Sequence, residues 1–331
     1  MLLLTLVWSV GWFLVQRQIK QQLDIFISNE AAKDRYWSCE TAGQKGFPFK
    51  LVQDCAAVAV AGPQSMRVEL RGASLVWRAI APNSLVFTAL SPARGQLAAM
   101  TFNMDWAEGH VEIAPLLGQM AVQASLTQLK THVVKPLTAP SGRVGDRGSV
   151  AQVQIKAGPF ENAAANSALP DRLPVVVAAH DIQDDALGIA LATSSLANID
   201  FVGAITATRN IDGANLAEKL EFWRHKSGQV EVTKLEFSAG DLRVFAEGAV
   251  VLDEEHRIKG KLNLRIAGGD GLMAKLGYAP SSSIVGGLLG GLLHAKGADG
   301  QAQGVSLPLR LEDGFVFLGP VRLPLILTPL Y

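Results

Sequence analysis

The chain has little charge, few aromatic residues and almost no cysteine. Charged residues make up 18% of its 331 residues, below the roughly 25% of ordinary soluble domains. Lysine and arginine balance aspartate and glutamate, so the formal net charge is zero. A balanced charge argues against a nucleic-acid-binding protein, which normally carries a clustered basic surface. We therefore expect no nucleic acid among its partners.

The sequence also lacks the motifs of common enzyme chemistry. It contains no G-x-S-x-G motif, and the glycine-rich residues Gly268–Gly271 lack the lysine and the serine or threonine of a phosphate-binding loop. No two of the six histidines stand at metal-ligand spacing. The densest polar cluster, in His180–Asp185, could bind a cation but is expected to be a solvated loop. We expect neither an enzyme nor a cofactor.

An apolar segment, Met1–Val15, opens the chain, and its helical pattern continues to about Lys33. A single helix is expected, lipid-facing in its first half and amphipathic in its second. A cleaved signal peptide is the alternative, although no small-residue cleavage site follows the apolar run. We therefore expect an uncleaved single-pass anchor in residues 1–33 and a separate body in residues 34–331, with a further boundary near residues 136–148.

The two cysteines, Cys39 and Cys55, follow soon after this opening. An even count in an exported chain favours a disulfide, and a loop of this size would stabilise the fold by roughly 3 kcal/mol. Two unpaired buried thiols are the alternative, and zinc lacks further ligands. The disulfide favours a periplasmic body on the inner membrane. Arg17 and Lys20 favour the opposite, cytoplasmic orientation under the positive-inside rule.

The body beyond residue 60 alternates apolar and polar residues, which predicts half-buried strands. The predicted strands include Met66–Arg71, Gln229–Phe237, Leu242–Leu252, His256–Ile266 and Gly304–Leu311. The fold class is therefore mainly β (α+β): an N-terminal membrane-anchoring helix, then long curved antiparallel sheets with a few short helices.

Two further patterns predict a hairpin and a helix. Gln96–Trp106 and His110–Ile113 flank Ala107-Glu108-Gly109, which predicts a hairpin. Asn215–His225 predicts a helix with Leu216, Leu220 and Trp223 on one face, ended by Gly228.

One face of the predicted strands is apolar, which predicts a groove that accepts acyl chains. A filled core is the alternative, because inward valine and leucine serve both. The residues expected to point inward are Val250, Leu252, Leu262, Leu264 and Leu309. A glycine-rich apolar helix over residues 281–294 is expected to place Ile284, Leu288, Leu289 and Leu292 near the groove mouth.

The motif Gly46–Phe49 places two aromatic residues around a proline. A plug that packs the end of the N-terminal helix against the sheet is the expected role, and a binding role is the alternative.

Together, Trp37-Ser38-Cys39, Gly46–Phe49 and Cys55 after a single N-terminal helix resemble the DUF2125 family of alphaproteobacterial envelope proteins. The closing residues Asp313–Pro320 and Pro329–Tyr331 resemble that family as well. The resemblance brings no established activity. The β-rich body is similar in pattern to the AsmA-like group of inner-membrane-anchored periplasmic proteins. That resemblance implies a long β-groove and a role in lipid movement or outer-membrane assembly.

We therefore expect a non-enzymatic periplasmic protein that is anchored in the inner membrane and binds or handles lipids or supports envelope assembly. Its expected partners are membrane lipids and other envelope proteins. The alternative is a structural or scaffolding envelope protein with a filled core and no ligand.

Overall fold

The computed structural model describes residues 2–63, 65–97, 100–116, 119–134, 146–161, 171–191, 193–213, 215–268 and 305–331. The chain divides into two compact units, Met1–Ser149 and Val150–Tyr331. Antiparallel strand pairs dominate each of them. The mainly β fold predicted from the alternation of apolar and polar residues is confirmed.

Helix α1 (Leu2–Ala31) opens the first unit, so the predicted N-terminal helix is present and ends two residues before Lys33. Just beyond it, the Arg35 guanidinium donates two hydrogen bonds of 2.6 and 2.7 Å to the Glu30 carboxylate. Among the residues that the structure describes, no helix combines the length and the apolar character needed to cross a membrane.

The other elements in the described part of the first unit are strands. They are β1 (Tyr36–Lys45), β2 (Lys50–Gly62), β3 (Met66–Arg78), β4 (Ala81–Leu97), β5 (Met100–Asp105), β6 (Glu108–Leu116) and β7 (Gln119–Val134). Strands β1 to β4 pair in chain order, and β5 and β6 both lie between β4 and β7. Predicted strand Met66–Arg71 is confirmed as the start of β3.

The hairpin predicted between Gln96–Trp106 and His110–Ile113 is wrong. Strands β5 and β6 do not pair; they follow one another along the same pair of neighbours. The interruption is held on both sides, because Trp106 N–H donates to Ser91 Oγ at 3.0 Å and Ala107 N–H donates to Thr127 O at 3.0 Å. The polar residues around 107 therefore separate two consecutive strands that run in the same direction, whereas the sequence pattern alone indicated that the chain reverses there.

This interruption belongs to a row of irregularities that crosses neighbouring strands of the first unit. Register shifts occur at Glu40–Gly43 in β1 and Leu70–Gly72 in β3. A cis peptide joins Ser91 to Pro92 in β4, and Gln128 in β7 has a φ of 52°. The register shifts and the positive φ of Gln128 interrupt the regular pairing of β1, β3 and β7.

The predicted disulfide is confirmed, and it stands at the β1–β2 end of this row. Cys39 and Cys55 are joined with a Cα–Cα distance of 5.3 Å. Cys39 lies opposite Val58 and Cys55 opposite Thr41, on either side of a shift in register. The covalent link therefore fixes two strands where their hydrogen-bond ladder is interrupted.

In its described residues, the second unit contains strands and two short helices. After β8 (Asp146–Ala157), which spans the division, come β9 (Arg172–Asp184), α2 (Asp185–Leu191), β10 (Ala197–Thr206), α3 (Leu216–His225), β11 (Val230–Ala239), β12 (Leu242–Leu252), β13 (Ile258–Ala267), β14 (Val305–Glu312), β15 (Phe315–Leu318) and β16 (Val321–Ile326). Strands β9 to β16 pair antiparallel in chain order. The four strands predicted in this unit are confirmed.

The loop predicted for His180–Asp185 is wrong. Strand β9 continues to Asp184, whose Oδ1 accepts a hydrogen bond of 2.8 Å from Leu187 N at the start of α2. A short acidic side chain is well suited to that position, because it satisfies a free N–H group of the first helical turn. His180 Nε2 lies 3.1 Å from Asp200 Oδ1 on β10. His180 and Asp184 therefore make contacts that stabilise the fold. The described residues contain no group of side chains able to hold a metal ion.

Candidate functional site

Strand register places the predicted groove residues of the second unit on one face of its sheet. On β12, Val250 lies opposite Val230 of β11 and Gly260 of β13. On β13, Leu262 lies opposite Leu309 of β14. Directly opposed residues share a face, and residues two apart along a strand do as well. Leu252 and Leu264 therefore belong to the same face, so the five described residues predicted to point inward lie together.

The apolar face extends well beyond those five residues. Register adds apolar residues from every strand between β9 and β14. They include Leu173, Val175, Val177, Ile199, Phe201, Ile205, Val230, Val232, Leu235, Phe237, Val244, Ile258, Ile266, Leu307 and Leu311. These side chains are half-buried rather than buried. A face of this kind retains apolar surface that contact with another apolar group would remove from water.

The opposite face of β13 is polar. Lys259, Lys261, Asn263 and Arg265 alternate with the apolar residues of β13 and are exposed. The Arg265 guanidinium lies 5.6 Å from the centre of the Phe245 ring, which covers an aromatic residue of this face with a cation. Strand β13 is therefore two-sided, with solvent expected on its polar side.

An apolar pocket of about 510 Å³ lies on the apolar face. Helix α3 supplies Leu216, Leu220 and Trp223, and the strands supply Ile205, Val230, Val250, Val251, Leu252 and Ile258; Thr208, Ile211, Lys219 and Leu330 complete the lining. The volume falls within the range of roughly 300–1,000 Å³ that is usual for small-molecule sites. The predicted residues Val250 and Leu252 line this pocket, whereas Leu262, Leu264 and Leu309 lie on the face but outside its lining.

Helix α3 is positioned by contacts at both of its ends. Asn215 caps it: Asn215 Oδ1 accepts from Glu218 N at 2.9 Å, and Asn215 Nδ2 donates to Glu218 Oε1 at 2.8 Å. Near the other end, the buried indole of Trp223 donates to Thr206 O on β10 at 2.7 Å. A Cβ at residue 228 would collide with that indole, so only glycine fits there. The helix predicted at Asn215–His225 is confirmed.

The outer side of α3 carries a cluster of charged and titratable groups around Glu221. Its carboxylate pairs with Arg224 at 2.6 Å, His225 at 2.7 Å and His256 at 3.2 Å. Tyr331 Oη donates a further hydrogen bond of 2.8 Å to Glu221. The hydrogen bonds from Arg224 and Tyr331 lower the pKa of Glu221 to about 2, so the carboxylate is ionised at neutral pH.

This cluster attaches the end of the chain to α3. The Tyr331 and His256 rings lie 4.4 Å apart, and Leu330 N–H donates to His256 O at 3.0 Å. Leu330 in turn lines the apolar pocket. His225 and His256 are far apart in the sequence, and the turn between β12 and β13 brings His256 to the Glu221 carboxylate that His225 also contacts. The spacing of histidines along the chain therefore could not have indicated this pair.

The remaining predicted groove residues, Ile284, Leu288, Leu289 and Leu292, lie outside the described residues. The motif Phe47-Pro48-Phe49 forms the turn between β1 and β2, and its aromatic rings are 54% and 65% exposed. The motif does pack against α1, as expected, but at Trp8 and Trp12 near the start of the helix and not at its end.

Comparison with known proteins identifies the family. The model of the family described as "Uncharacterized protein conserved in bacteria (DUF2125)" matches residues 12–325. No curated protein and no solved structure matches the chain. Because the match covers nearly the whole sequence, the chain belongs to the DUF2125 family, and the predicted family resemblance is confirmed.

Proposed function

We propose that this DUF2125 protein is a non-enzymatic envelope protein that binds lipid acyl chains on the apolar face of its second unit. The observation that carries the proposal is the apolar face itself, half-buried from β9 to β14, together with the apolar pocket beneath α3. Each methylene that leaves water on such a surface contributes about 0.8 kcal/mol. Binding of this kind has little head-group specificity, because the pocket lining offers few polar groups.

Location at a membrane is part of the same proposal. Helix α1 begins with an apolar segment, and the Cys39–Cys55 disulfide is typical of an oxidising compartment. We assign the body to the periplasm and α1 to the inner membrane. We also propose that the protein is an AsmA-like protein of the alphaproteobacterial envelope, with a role in lipid movement or envelope assembly. Alkaline phosphatase fused after Tyr331 should be active; an inactive fusion would reverse the orientation.

A scaffolding protein with a filled core is the rival function. The close packing of Trp223 against Gly228 and Thr206 favours it at one end of the apolar face. The two functions differ in how the apolar face tolerates a larger side chain. A groove accepts a larger apolar side chain, whereas overpacking a filled core typically costs 1–3 kcal/mol.

The experiment therefore places a photoreactive benzophenone side chain at position 264, on the apolar face of β13. The control carries the same side chain at position 263, which is exposed on the polar face of the same strand. We expect crosslinking to phospholipid in cells from position 264 and not from position 263, with both variants folded. A folded variant at 264 that crosslinks to no lipid would refute lipid binding, and a variant destabilised only at 264 would favour the filled core.

Point substitutions give a second comparison on the same strand. Leu264→Asp should reduce the lipid that co-purifies with the protein after gentle extraction, because it puts a charge on the apolar face. Asn263→Asp introduces the same group on the polar face and should leave the lipid content unchanged. Equal lipid content in the two variants would contradict a groove on this face.

A further inference from the structure

An aromatic cluster joins α1 to the turn between β1 and β2. Trp8 Nε1–H donates to Pro48 O at 3.0 Å, and Trp12 Nε1–H donates to Lys50 O at 3.4 Å. The Trp12 and Phe47 rings meet edge to face at 5.4 Å, and the Trp8 and Phe49 rings lie 6.3 Å apart. Both tryptophans lie on the same side of the helix, four residues apart. The turn is therefore fixed against the apolar half of α1.

These aromatic groups are packed together and yet exposed. Trp8 is 46% exposed, and the side chains of Phe47 and Phe49 are 54% and 65% exposed. On α1 itself, Leu6 and Val7 are 66% and 61% exposed. The indole N–H groups find partners in the turn, so the outward surface of the cluster is apolar. Aromatic residues with this combination of apolar body and satisfied polar atom are enriched where proteins meet the membrane surface.

Exposed basic residues stand next to this apolar surface. The first 16 residues carry no charged side chain, and Arg17 and Lys20 then follow on α1. Lys50 ends the β1–β2 turn and is exposed, like Arg17 and Lys20. The first acidic residue is Asp24. An apolar aromatic surface bordered by cations complements the interface of an anionic bilayer, which offers hydrocarbon beneath negative head groups.

The spacing along α1 agrees with the thickness of that interface. Arg17 lies five positions after Trp12, which is about 8 Å along a helix. The head-group layer of one leaflet is roughly 5–8 Å thick. With Arg17 among the head groups, Trp12 and the Phe47 ring that it contacts reach the edge of the hydrocarbon. On a surface that meets only water, nothing would require the basic and aromatic residues to lie at this distance from one another.

We propose that the turn Gly46–Phe49 inserts into the membrane surface beside α1, so that the first unit contacts the membrane through both α1 and this turn. This rests on the part of the proposed function that assigns α1 to the membrane, but not on lipid binding by the second unit. The turn then fixes how the first unit stands on the bilayer, because α1 alone leaves rotation about its axis free.

The test measures the depth of single fluorescent labels in vesicles that carry nitroxide-labelled lipids. The full chain, with its disulfide intact, receives one cysteine labelled with the fluorophore NBD in place of Leu6, Phe49 or Arg67. Leu6 reports on α1 and Phe49 on the turn. Arg67 is exposed and lies at the far end of β3, away from the turn. The vesicles contain phosphatidylethanolamine with phosphatidylglycerol, or phosphatidylcholine alone.

We expect the nitroxide lipids to quench labels at positions 6 and 49, with little loss of fluorescence at 67. Quenching at 49 should be stronger in vesicles with the anionic lipid. Quenching at 6 but not at 49 would overturn the inserted turn and leave α1 as an anchor. No quenching at either position would overturn both this inference and the membrane assignment of α1. Equal quenching at all three positions would also overturn it, because it would indicate unspecific adsorption.

Discussion

The hydrogen bond from Trp223 to Thr206 should hold α3 over the apolar pocket. Trp223 is 7% exposed, and its indole N–H donates to the Thr206 carbonyl at 2.7 Å in a buried position. Trp223→Phe retains an aromatic ring but removes the donor. The Thr206 carbonyl then loses a partner at a site that water reaches poorly.

An unsatisfied buried carbonyl costs about 1–3 kcal/mol. Trp223→Ala should cost more, about 3–5 kcal/mol, because it also leaves a cavity. Trp77 provides the matched control. Its indole donates to Pro82 O at 3.1 Å in an exposed position, so water can replace the donor in Trp77→Phe and the expected cost is below about 0.5 kcal/mol.

Hydrogen exchange measured by mass spectrometry can report this loss of stability for α3 alone. Since every 1.4 kcal/mol is a factor of ten, Trp223→Phe should speed exchange of the α3 amides roughly 5- to 150-fold. Strand β13, which does not contact the indole nitrogen, should change less than α3. Unchanged protection of α3 in Trp223→Phe, or an equal effect of Trp77→Phe on its own surroundings, would refute the argument that this buried bond positions the helix.

Three further predictions concern the disulfide and the ends of α3. Replacing Cys39 and Cys55 together by serine should lower the free energy of unfolding of the first unit by roughly 3 kcal/mol in denaturant titrations, and a loss below about 1 kcal/mol would contradict the loop-closure argument. Asn215→Ala should destabilise α3 by about 1 kcal/mol, whereas Asn215→Ser, which can still cap, should cost less. The pKa of Glu221 falls from 4.5 to about 2 on folding, so its contribution to stability is present above pH 4.5 and is lost as the pH falls toward 2. The melting temperature should therefore drop more between pH 5 and pH 3 in the wild type than in Glu221→Gln; equal drops would show that Glu221 does not stabilise α3.

The sequence by itself determined the type of most elements. Alternation along His256–Ile266 predicted a two-sided strand, and β13 has that form. The pattern of Asn215–His225 predicted α3. An even number of cysteines after an apolar opening predicted the Cys39–Cys55 disulfide. These properties are local, or depend on one chemical pairing, so nearby residues are enough to reveal them.

The tertiary structure decided which elements lie side by side. Whether the residues around Ala107 reverse the chain or interrupt a strand depends on β4 and β7, which hold β5 and β6 in line. The meeting of Glu221, His256 and Tyr331 joins residues that are distant in sequence. The placement of Leu330 in the pocket follows from that meeting. Such contacts depend on strand register and on packing between distant segments, which the period of a single strand does not encode.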